Sequence, residues 1–322
     1  MTLLDEVPLG RVRDYLDAAV RLTDDGLALT EGNAATVMRL LVDAGARDLG
    51  LARAVEPHLD AVSIITQAGE SGRGVAYGVF ASEAPGGVLR AVPVDGGWTL
   101  DGTKQWCSLA GTLDRALVTA ATEAGDRMLF DVDLRAPGVE VLDAAWAARG
   151  LVEIPSGPVR FDSVPATPVG QPGWYLSRPG FHWGGIAVAA CWIGGALGLA
   201  RDLRGALTPQ SREFQLAHLG AVDATISTAL LVLADAADRI DGGAAEGQAG
   251  KVLAYRVRAV AAAAADDVIR RVGRGLGPGP LATDDGHAKR VADLELYVRQ
   301  HHAERDEAAL GTALLADGDD PW

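Results

Sequence analysis

The hydrophobic pattern of this 322-residue chain changes period twice, and those changes limit the folds it can adopt. Apolar residues first recur at helical spacing, and from about Val75 to Val169 short β-prone runs alternate with turn residues. Helical spacing then returns and continues to the end. The pattern predicts an α+β fold: an N-terminal helical domain (1–74), a middle antiparallel β-domain (75–180) and a C-terminal four-helix bundle (181–322).

Individual elements can be placed within these regions. The strands are predicted at Gly74–Ser82, Val88–Val94, Trp98–Leu100, Ala116–Thr122, Met128–Asp133, Val139–Leu142 and Gly157–Phe161. The turns between them include Asp95-Gly96-Gly97 and Ala124-Gly125-Asp126. The long helices are predicted near Ile186–Ala206, Ser211–Ile240, Gly250–Gly273 and Asp284–Ala316.

Composition excludes several classes of function. A net charge of −14 argues against nucleic acid or an anionic membrane as the main partner. The two cysteines give no disulfide framework, and neither they nor the six histidines show metal-ligand spacing, so no metal site is predicted. The most apolar run, Ile186 to Leu199, is short and interrupted by glycines, and the N-terminus is acidic. We therefore expect a soluble, cytoplasmic protein without a membrane segment.

The segment Asp101–Ser108 carries the most chemical information. Asp101-Gly102 between two alternating runs predicts the turn of a β-hairpin. Its second arm then presents Trp106 and the Ser108 hydroxyl on one strand face. A flat aromatic ring beside a hydroxyl suits a planar, hydrogen-bonding ring such as a flavin. The alternative is ordinary core packing with a satisfied hydroxyl.

Three stretches together resemble the acyl-CoA dehydrogenase family of flavoproteins. They are Phe80-Ala81-Ser82-Glu83-Ala84-Pro85-Gly86-Gly87, the hairpin Leu100–Ser108, and Arg149-Gly150-Leu151 with the downstream Val159–Pro165. The order of a helical domain, a β-domain and a helical bundle is also similar to that family. The resemblance runs from about Tyr77 to Leu310 and implies FAD as the cofactor.

The resemblance also implies roles for individual residues. Trp106 would pack against the flavin ring, Ser108 would hydrogen-bond near its N5 atom, and Arg212 is a candidate for anchoring the pyrophosphate. A glycine-containing turn at Val272–Gly277 would approach the cofactor of a neighbouring subunit. The full set of expected cofactor-binding residues is Phe80, Ala81, Ser82, Gly87, Trp106, Cys107, Ser108, Arg212, Gly273 and Gly275.

The catalytic glutamate of the family has no counterpart here. Its position near the C-terminus falls on His301, and the other family position, within Gly185–Ala190, carries no carboxylate. A histidine can act as a base near neutral pH, so His301 is the expected catalytic residue, against the alternative of a surface or interface histidine. His302 would lie further round the same helix and be exposed. Val88 and His182 are the expected substrate-binding residues.

These observations leave three hypotheses of function. The first is an FAD-dependent oxidoreductase that removes a proton next to a carbonyl and passes a hydride to the flavin, acting on CH-CH bonds of a specialised or carrier-bound acyl substrate. The second is a two-component flavin monooxygenase of the same fold. The third is a non-catalytic partner subunit that has lost flavin. The resemblance implies a homodimer or homotetramer, with a small-molecule substrate and an electron acceptor or flavin reductase as partners.

Overall fold

The computed structural model describes residues 3–72, 74–83, 88–143 and 146–317. The chain forms two compact units. The first comprises Met1–Leu29, Ala54–Ala147 and Val152–Phe181, and the second comprises Thr30–Arg53, Ala148–Leu151 and His182–Trp322. The N-terminal helical region, predicted as a domain of its own, contributes segments to both units. The fold class is α+β, as the periodicity predicts.

The N-terminal region contains a short 3₁₀ turn and three α-helices. The helices are α1 (Val12–Asp24), α2 (Ala34–Arg47) and α3 (Leu49–Gln67). Asp48 caps α3, because its Oδ1 atom accepts a hydrogen bond of 2.9 Å from the Leu51 N–H.

The first unit is built on a sheet of seven strands. They are β1 (Tyr77–Phe80), β2 (Leu89–Val94), β3 (Gly97–Ser108), β4 (Arg115–Ala121), β5 (Arg127–Asp133), β6 (Val139–Val141) and β7 (Ser156–Val169). The order is β1-β4-β2-β3-β7-β5, with β6 paired to β7 outside this path, and β5 pairs with β4 as well, so the sheet closes into a barrel. β4 runs parallel to β1 and β2, so the predicted antiparallel sheet is in fact mixed.

The core of this unit lies between α3 and the sheet. Ala61, Ile64 and Ile65 of α3 pack with buried side chains of β1, β4, β5 and β7. Buried members contributed by the strands are Tyr77, Leu117, Leu129 and Val169. Burial of this apolar surface is the main driving force that holds α3 on the sheet. A one-turn helix, α4 (Trp174–Ser177), follows the sheet.

The prediction of a hairpin turn at Asp101-Gly102 is wrong. β3 runs unbroken from Gly97 to Ser108, and the turn that joins it to β2 lies at Asp95-Gly96, where the second turn signal stands. Asp101 and Gly102 instead form a bulge against β7, with Gly102 at a φ of +123°. A Cβ atom at Gly102 would collide with the Val88 carbonyl oxygen, so glycine is required there by packing as well as by conformation. The residues before and after Asp101-Gly102 both pair with β7, so this dipeptide forms a bulge within one strand and not a turn between two strands.

The second unit is helical. Its further helices are α5 (Phe181–Ala206), α6 (Glu213–Asp241), α7 (Gly247–Leu276), α8 (Gly279–Thr283), α9 (Asp285–Tyr297) and α10 (Glu304–Asp317). The helices predicted near Ile186–Ala206, Ser211–Ile240 and Gly250–Gly273 correspond to α5, α6 and α7. The fourth predicted helix is interrupted, because a 3₁₀ turn and an irregular segment separate α9 from α10.

α2 and α5 cross at a point lined by glycines. A Cβ atom at Gly45 would lie 2.7 Å from the Cys191 carbonyl oxygen, and one at Gly194 would lie 3.0 Å from the Gly45 Cα atom. The two backbones can approach this closely only because neither residue carries a side chain. The glycines that interrupt the apolar run of α5 are therefore helix-packing positions.

Two described helices, α5 and α6, are long and apolar enough to cross a membrane. Of the apolar window of α5, 72% is buried inside the protein, as in the core helix of a soluble domain; for α6 the share is 22%. One or two such helices are weak evidence for a membrane segment, since helices of soluble proteins pass the same test.

Candidate functional site

Strand β3 presents an exposed indole at its end. Trp106 is 56% exposed and its φ is +61°, the left-handed region, where a non-glycine residue costs roughly 1–2 kcal/mol. The strained conformation lies in a second register shift against β7, between Lys104 and Cys107. The bulge thus holds a large flat aromatic ring on the surface of the first unit.

The residues after Trp106 alternate in burial. Cys107 is buried, and this burial raises the pKa of its thiol to about 12, so the thiol stays protonated at neutral pH. Ser108 is half-buried, and its hydroxyl lies 2.7 Å from the Ser156 hydroxyl on β7. The Ser108 and Ser156 hydroxyls therefore lie next to each other at the end of β3. Ser108 is the residue at which the sequence predicts a hydrogen-bonding group.

The end of β1 belongs to the same sheet. Phe80 is buried and pairs with Val118 of β4, whereas Ala81 is half-buried and Ser82 is exposed. The backbone after Phe80 leaves the sheet, so its peptide groups are not used in strand pairing. Val88 is 64% exposed, and Gly87 lies outside the described residues.

The remaining cofactor candidates come together in the second unit. Gln215 accepts a hydrogen bond from the Arg212 N–H (3.3 Å) and donates one to the Gly275 carbonyl oxygen (2.9 Å). The side-chain amide thereby joins the start of α6 to the end of α7. Gly273 and Gly275 lie in the last turns of α7, so the turn predicted at Val272–Gly277 is helical up to Leu276.

The helix dipole favours phosphate binding at Arg212 and disfavours it at Gly273 and Gly275. Arg212 stands at the N-terminal end of α6, where the dipole and the guanidinium both favour an anion. Gly273 and Gly275 stand at the C-terminal end of α7, where the helix dipole disfavours a phosphate. Within this unit Arg212 is therefore the better candidate for holding a phosphate group.

His301 lies in the break between α9 and α10, so the prediction that it and His302 sit on one helix is wrong. Its backbone is extended (φ −79°, ψ 122°) after the 3₁₀ turn Val298–Gln300, and Ala303 follows with a φ of +46°. His302 is exposed, as predicted, and its backbone N–H donates to an Asp306 oxygen at 3.1 Å. The break turns the His301 ring away from the direction that a continuous helix would give it.

The His301 ring packs edge-on against a buried indole. Its centroid lies 6.4 Å from that of Trp192 on α5, and the ring planes meet at 80°. The Nε2 atom of His301 and the Nε1 atom of Trp192 are both buried and have no hydrogen-bond partner within the described part of the chain. Two buried polar atoms without a partner among the described residues therefore lie in one aromatic cluster.

Charges around His301 oppose one another. Burial is the largest effect and lowers the pKa of the imidazole; the Arg258 guanidinium and His302 lower it further, whereas Asp306 and Glu307 raise it. Because the net shift is downward, the ring stays neutral over a wider acidic range than a free histidine. His301 can therefore accept or share a proton, but as a base it is weaker than an ordinary histidine.

His182, the other predicted histidine, lies in the first turn of α5 and is half-buried. It stands one turn before Gly185, whose carbonyl oxygen accepts a hydrogen bond of 3.2 Å from Arg258. The start of α5 and the His301 segment are thus both in contact with Arg258, which also donates to the Gln300 carbonyl oxygen at 2.8 Å.

Sequence reasoning missed Arg258, Trp192 and Asp306. A usable indication exists for Arg258: Ala254, Ala261 and Ala262, at helical spacings from it, are all apolar, so its position faces the core. A charged residue at such a position needs partners, which the spacing alone does not name. The sequence places Trp192 only within an apolar helix, and Asp306 only within the helix predicted near Asp284–Ala316.

Comparisons with known proteins agree with this architecture. Residues 82–164 match the family model "Acyl-CoA dehydrogenase, middle domain". The butyryl-CoA dehydrogenase of Megasphaera elsdenii superposes with a TM-score of 0.78 at 18% identity, covering 94% of this chain and 89% of that one. The chain has the acyl-CoA dehydrogenase-like fold.

Two further solved structures have the acyl-CoA dehydrogenase-like fold. The dibenzothiophene monooxygenase TdsC of Paenibacillus sp. A11-2, in complex with FMN and indole, gives a TM-score of 0.80 at 18% identity, covering 95% of this chain and 89% of that one. The nitrososynthase of Micromonospora carbonacea var. africana gives 0.74 at 18%, with 98% and 99% covered. A comparison with curated proteins gave no match. At these identities the likeness establishes the fold.

Proposed function

We propose that the protein is a flavin-dependent oxidoreductase of the monooxygenase type. The observation that carries this choice is the surroundings of His301: a half-buried imidazole with a buried Nε2 atom, close to a guanidinium, in place of a catalytic carboxylate. Removing a proton next to a carbonyl requires a base whose pKa matches the task, and burial lowers the pKa of His301 away from the neutral range. A neutral imidazole with a buried Nε2 atom is instead suited to hydrogen-bonding an oxygen-derived group.

The residues of β3 fit the ring of a flavin. Trp106 offers an exposed indole, and Ser108 and Ser156 offer hydroxyls beside it, which match the flat faces and polar edges of an isoalloxazine. Backbone groups after Phe80 and the Ser82 hydroxyl are available for the pyrimidine edge. Bound reduced flavin would supply oxygen activation, and bound oxidised flavin would supply hydride acceptance.

The identity of the flavin is part of the proposal. The resemblance implies FAD, whereas the TdsC complex is described with FMN. Arg212 at the start of α6 could bind either a single phosphate or a pyrophosphate. Parallel titrations with FMN and FAD, read by the change in flavin fluorescence, would identify the preferred form.

A flavin-binding prediction follows from Trp106. We expect Trp106→Leu to weaken flavin binding by about tenfold, since aromatic packing contributes about 0.5–1.5 kcal/mol beyond area burial. The measurement is a fluorescence titration of the purified variant. The control is Trp98→Phe, at the other end of the same strand, which keeps the ring contact with Phe130 and should bind flavin as the unaltered protein does. Equal affinity in the Trp106 variant and this control would contradict the assignment.

The experiment that tests the proposed function supplies reduced flavin from an external reductase and measures oxygen uptake. Indole, which is present in the TdsC complex, is a reasonable first probe substrate. Oxygenated product formed in proportion to oxygen uptake would support a monooxygenase, and the His301→Gln variant should lose most of this coupling. Uptake without product, or with product unchanged in His301→Gln, would count against it.

Acyl-CoA dehydrogenation is the second candidate, because the middle domain matches that family and the butyryl-CoA dehydrogenase has the same fold. Here His301 would take the proton from a specialised or carrier-bound acyl substrate, and Val88 and His182 would contact that substrate. Anaerobic addition of butyryl-CoA to the flavin-loaded protein is the test. Loss of the flavin absorbance would favour this candidate over the first. Failure to retain any flavin through gel filtration would favour either a two-component monooxygenase that takes reduced flavin from a reductase or a non-catalytic subunit, and the oxygen-uptake experiment separates these two.

A further inference from the structure

The segment that carries His301 is irregular. Between the end of the 3₁₀ turn at Gln300 and the start of α10 at Glu304, the backbone is extended at His301 and left-handed at Ala303. Its hydrogen bonds are local: the His301 N–H donates to the Val298 carbonyl oxygen at 2.9 Å, and the His302 N–H donates to an Asp306 oxygen at 3.1 Å. None of these bonds fixes the Gln300 carbonyl oxygen or the His301 ring. A short irregular segment of this kind stays in one conformation only if surrounding groups fix it.

Arg258 supplies such a connection from α7. Its Nη2 atom donates to the Gln300 carbonyl oxygen at 2.8 Å, and its Nη1 atom donates to the Gly185 carbonyl oxygen at 3.2 Å. One rigid guanidinium therefore joins the residue before His301 to the first turns of α5. Lysine could not reproduce this geometry, because its single ammonium lacks the planar pair of donors.

The same guanidinium fixes the surface on which the imidazole rests. The Arg258 Cζ atom lies 4.8 Å from the centre of the Trp192 ring, whose edge contact with His301 orients the imidazole. Asp306 of α10 lies 3.9 Å from the Arg258 Nη2 atom, so the charge is partly balanced from the far side of the break. Arg258 thus touches three of the elements around His301: α5, the 3₁₀ turn and α10.

We propose that Arg258 is the positioning residue of this site: it fixes the Gln300 backbone and the Trp192 ring, and through them holds the His301 imidazole in its orientation. Arg258 acts through His301 and has no assigned contact with a reacting group. The inference deepens the proposed function, on which the catalytic importance of His301 rests. The structural part of the claim, that Arg258 orders residues 298–303, does not depend on any flavin chemistry.

The test compares Arg258→Lys and Arg258→Met with the unaltered protein, all without added flavin. Arg274→Met, an exposed arginine on the same helix, is the matched control. We expect amide hydrogen exchange across 300–303 to be at least about tenfold faster in Arg258→Met and several-fold faster in Arg258→Lys. The control should exchange at the original rate.

An NMR titration of the His301 ring gives a second readout, with His301→Gln used for assignment. In Arg258→Met the pKa of His301 should rise towards its ordinary value, because the looser segment is better hydrated and one facing cation is gone, while Asp306, Glu307 and His302 remain. In Arg258→Lys the cation is retained, so accelerated exchange with a smaller rise is expected. This difference separates the lost hydrogen bonds from the lost charge.

The outcomes distinguish this inference from the proposed function. Exchange and titration in both Arg258 variants that match Arg274→Met would overturn the inference, whatever the enzyme does. If Arg258→Met fails to fold, Arg258→Lys alone decides, because a folded lysine variant with unchanged exchange contradicts it equally. If flavin or oxygen activity is absent but exchange accelerates, the proposed function fails and the positioning role of Arg258 stands.

Discussion

A single residue, His58, ties three elements of the first unit together. Its Nδ1 atom accepts a hydrogen bond of 3.1 Å from the Tyr77 N–H at the start of β1, and its Nε2 atom lies 2.9 Å from the Thr23 hydroxyl on α1. The Thr23 hydroxyl itself donates to the Val20 carbonyl oxygen. This network requires a neutral ring with the proton on Nε2, because a protonated Nδ1 would face another donor.

This arrangement makes stability depend on pH in a defined window. Burial lowers the pKa of His58 to about 4, from 6.5 in the unfolded chain. Above pH 6.5 the ring is neutral in both states and its contribution is complete. As the pH falls from 6.5 to 4, only the unfolded chain binds the proton, so stability is lost, by about 2 kcal/mol at pH 5.

Urea denaturation at pH 7.5 and pH 5 measures this effect. Other groups also titrate in this range, so the comparison is with His58→Gln, which cannot take up the proton. We expect the fall in the free energy of unfolding between the two pH values to be about 2 kcal/mol smaller in the variant. An equal fall in both proteins would show that His58 is not the group responsible.

At the scale of elements, the contact of α2 with α5 depends on glycine. Gly194→Ala would place a Cβ atom against the Val42 carbonyl oxygen and the Ala46 nitrogen, both of which are backbone atoms that no side-chain rotation can move. The two helices would have to separate, at a cost of about 1–3 kcal/mol. Chemical denaturation of the variant measures this loss.

The opposite result is expected for a glycine on a free helix surface. Gly220 lies within α6, and a Cβ atom there would meet nothing within 4 Å. Gly220→Ala should therefore raise the free energy of unfolding by about 0.5–1 kcal/mol, because alanine loses less backbone entropy in a helix. If both variants were stabilised, the close approach of α2 and α5 would be disproved.

The break between α9 and α10 shows where periodicity stops being informative. Residues Asp284 to Ala316 have helical spacing and contain neither proline nor an obvious turn signal, so sequence alone predicts one long helix. The interruption at His301 coincides with contacts from distant parts of the chain, above all the hydrogen bond from Arg258. Such long-range contacts can outweigh the helix propensity of a segment, and the sequence of that segment does not predict them.

For the whole molecule, assembly stays a prediction. The resemblance implies a homodimer or homotetramer, so sedimentation velocity should give twice or four times the chain mass of 33.4 kDa. A particle with the mass of one chain would contradict this expectation. The cytoplasmic location and the three-domain division also remain predictions.

The sequence determined the order of elements and the fold class, because the change of period from 3.6 to 2 and back is a local property of the chain. It also placed Trp106 and Ser108 on one strand, the β-prone run that follows Asp101-Gly102. Tertiary structure alone decided that Asp101-Gly102 is a bulge, since this depends on pairing with β7. It likewise decided the partners of His301, because long-range hydrogen bonds and burial join residues that no local pattern relates.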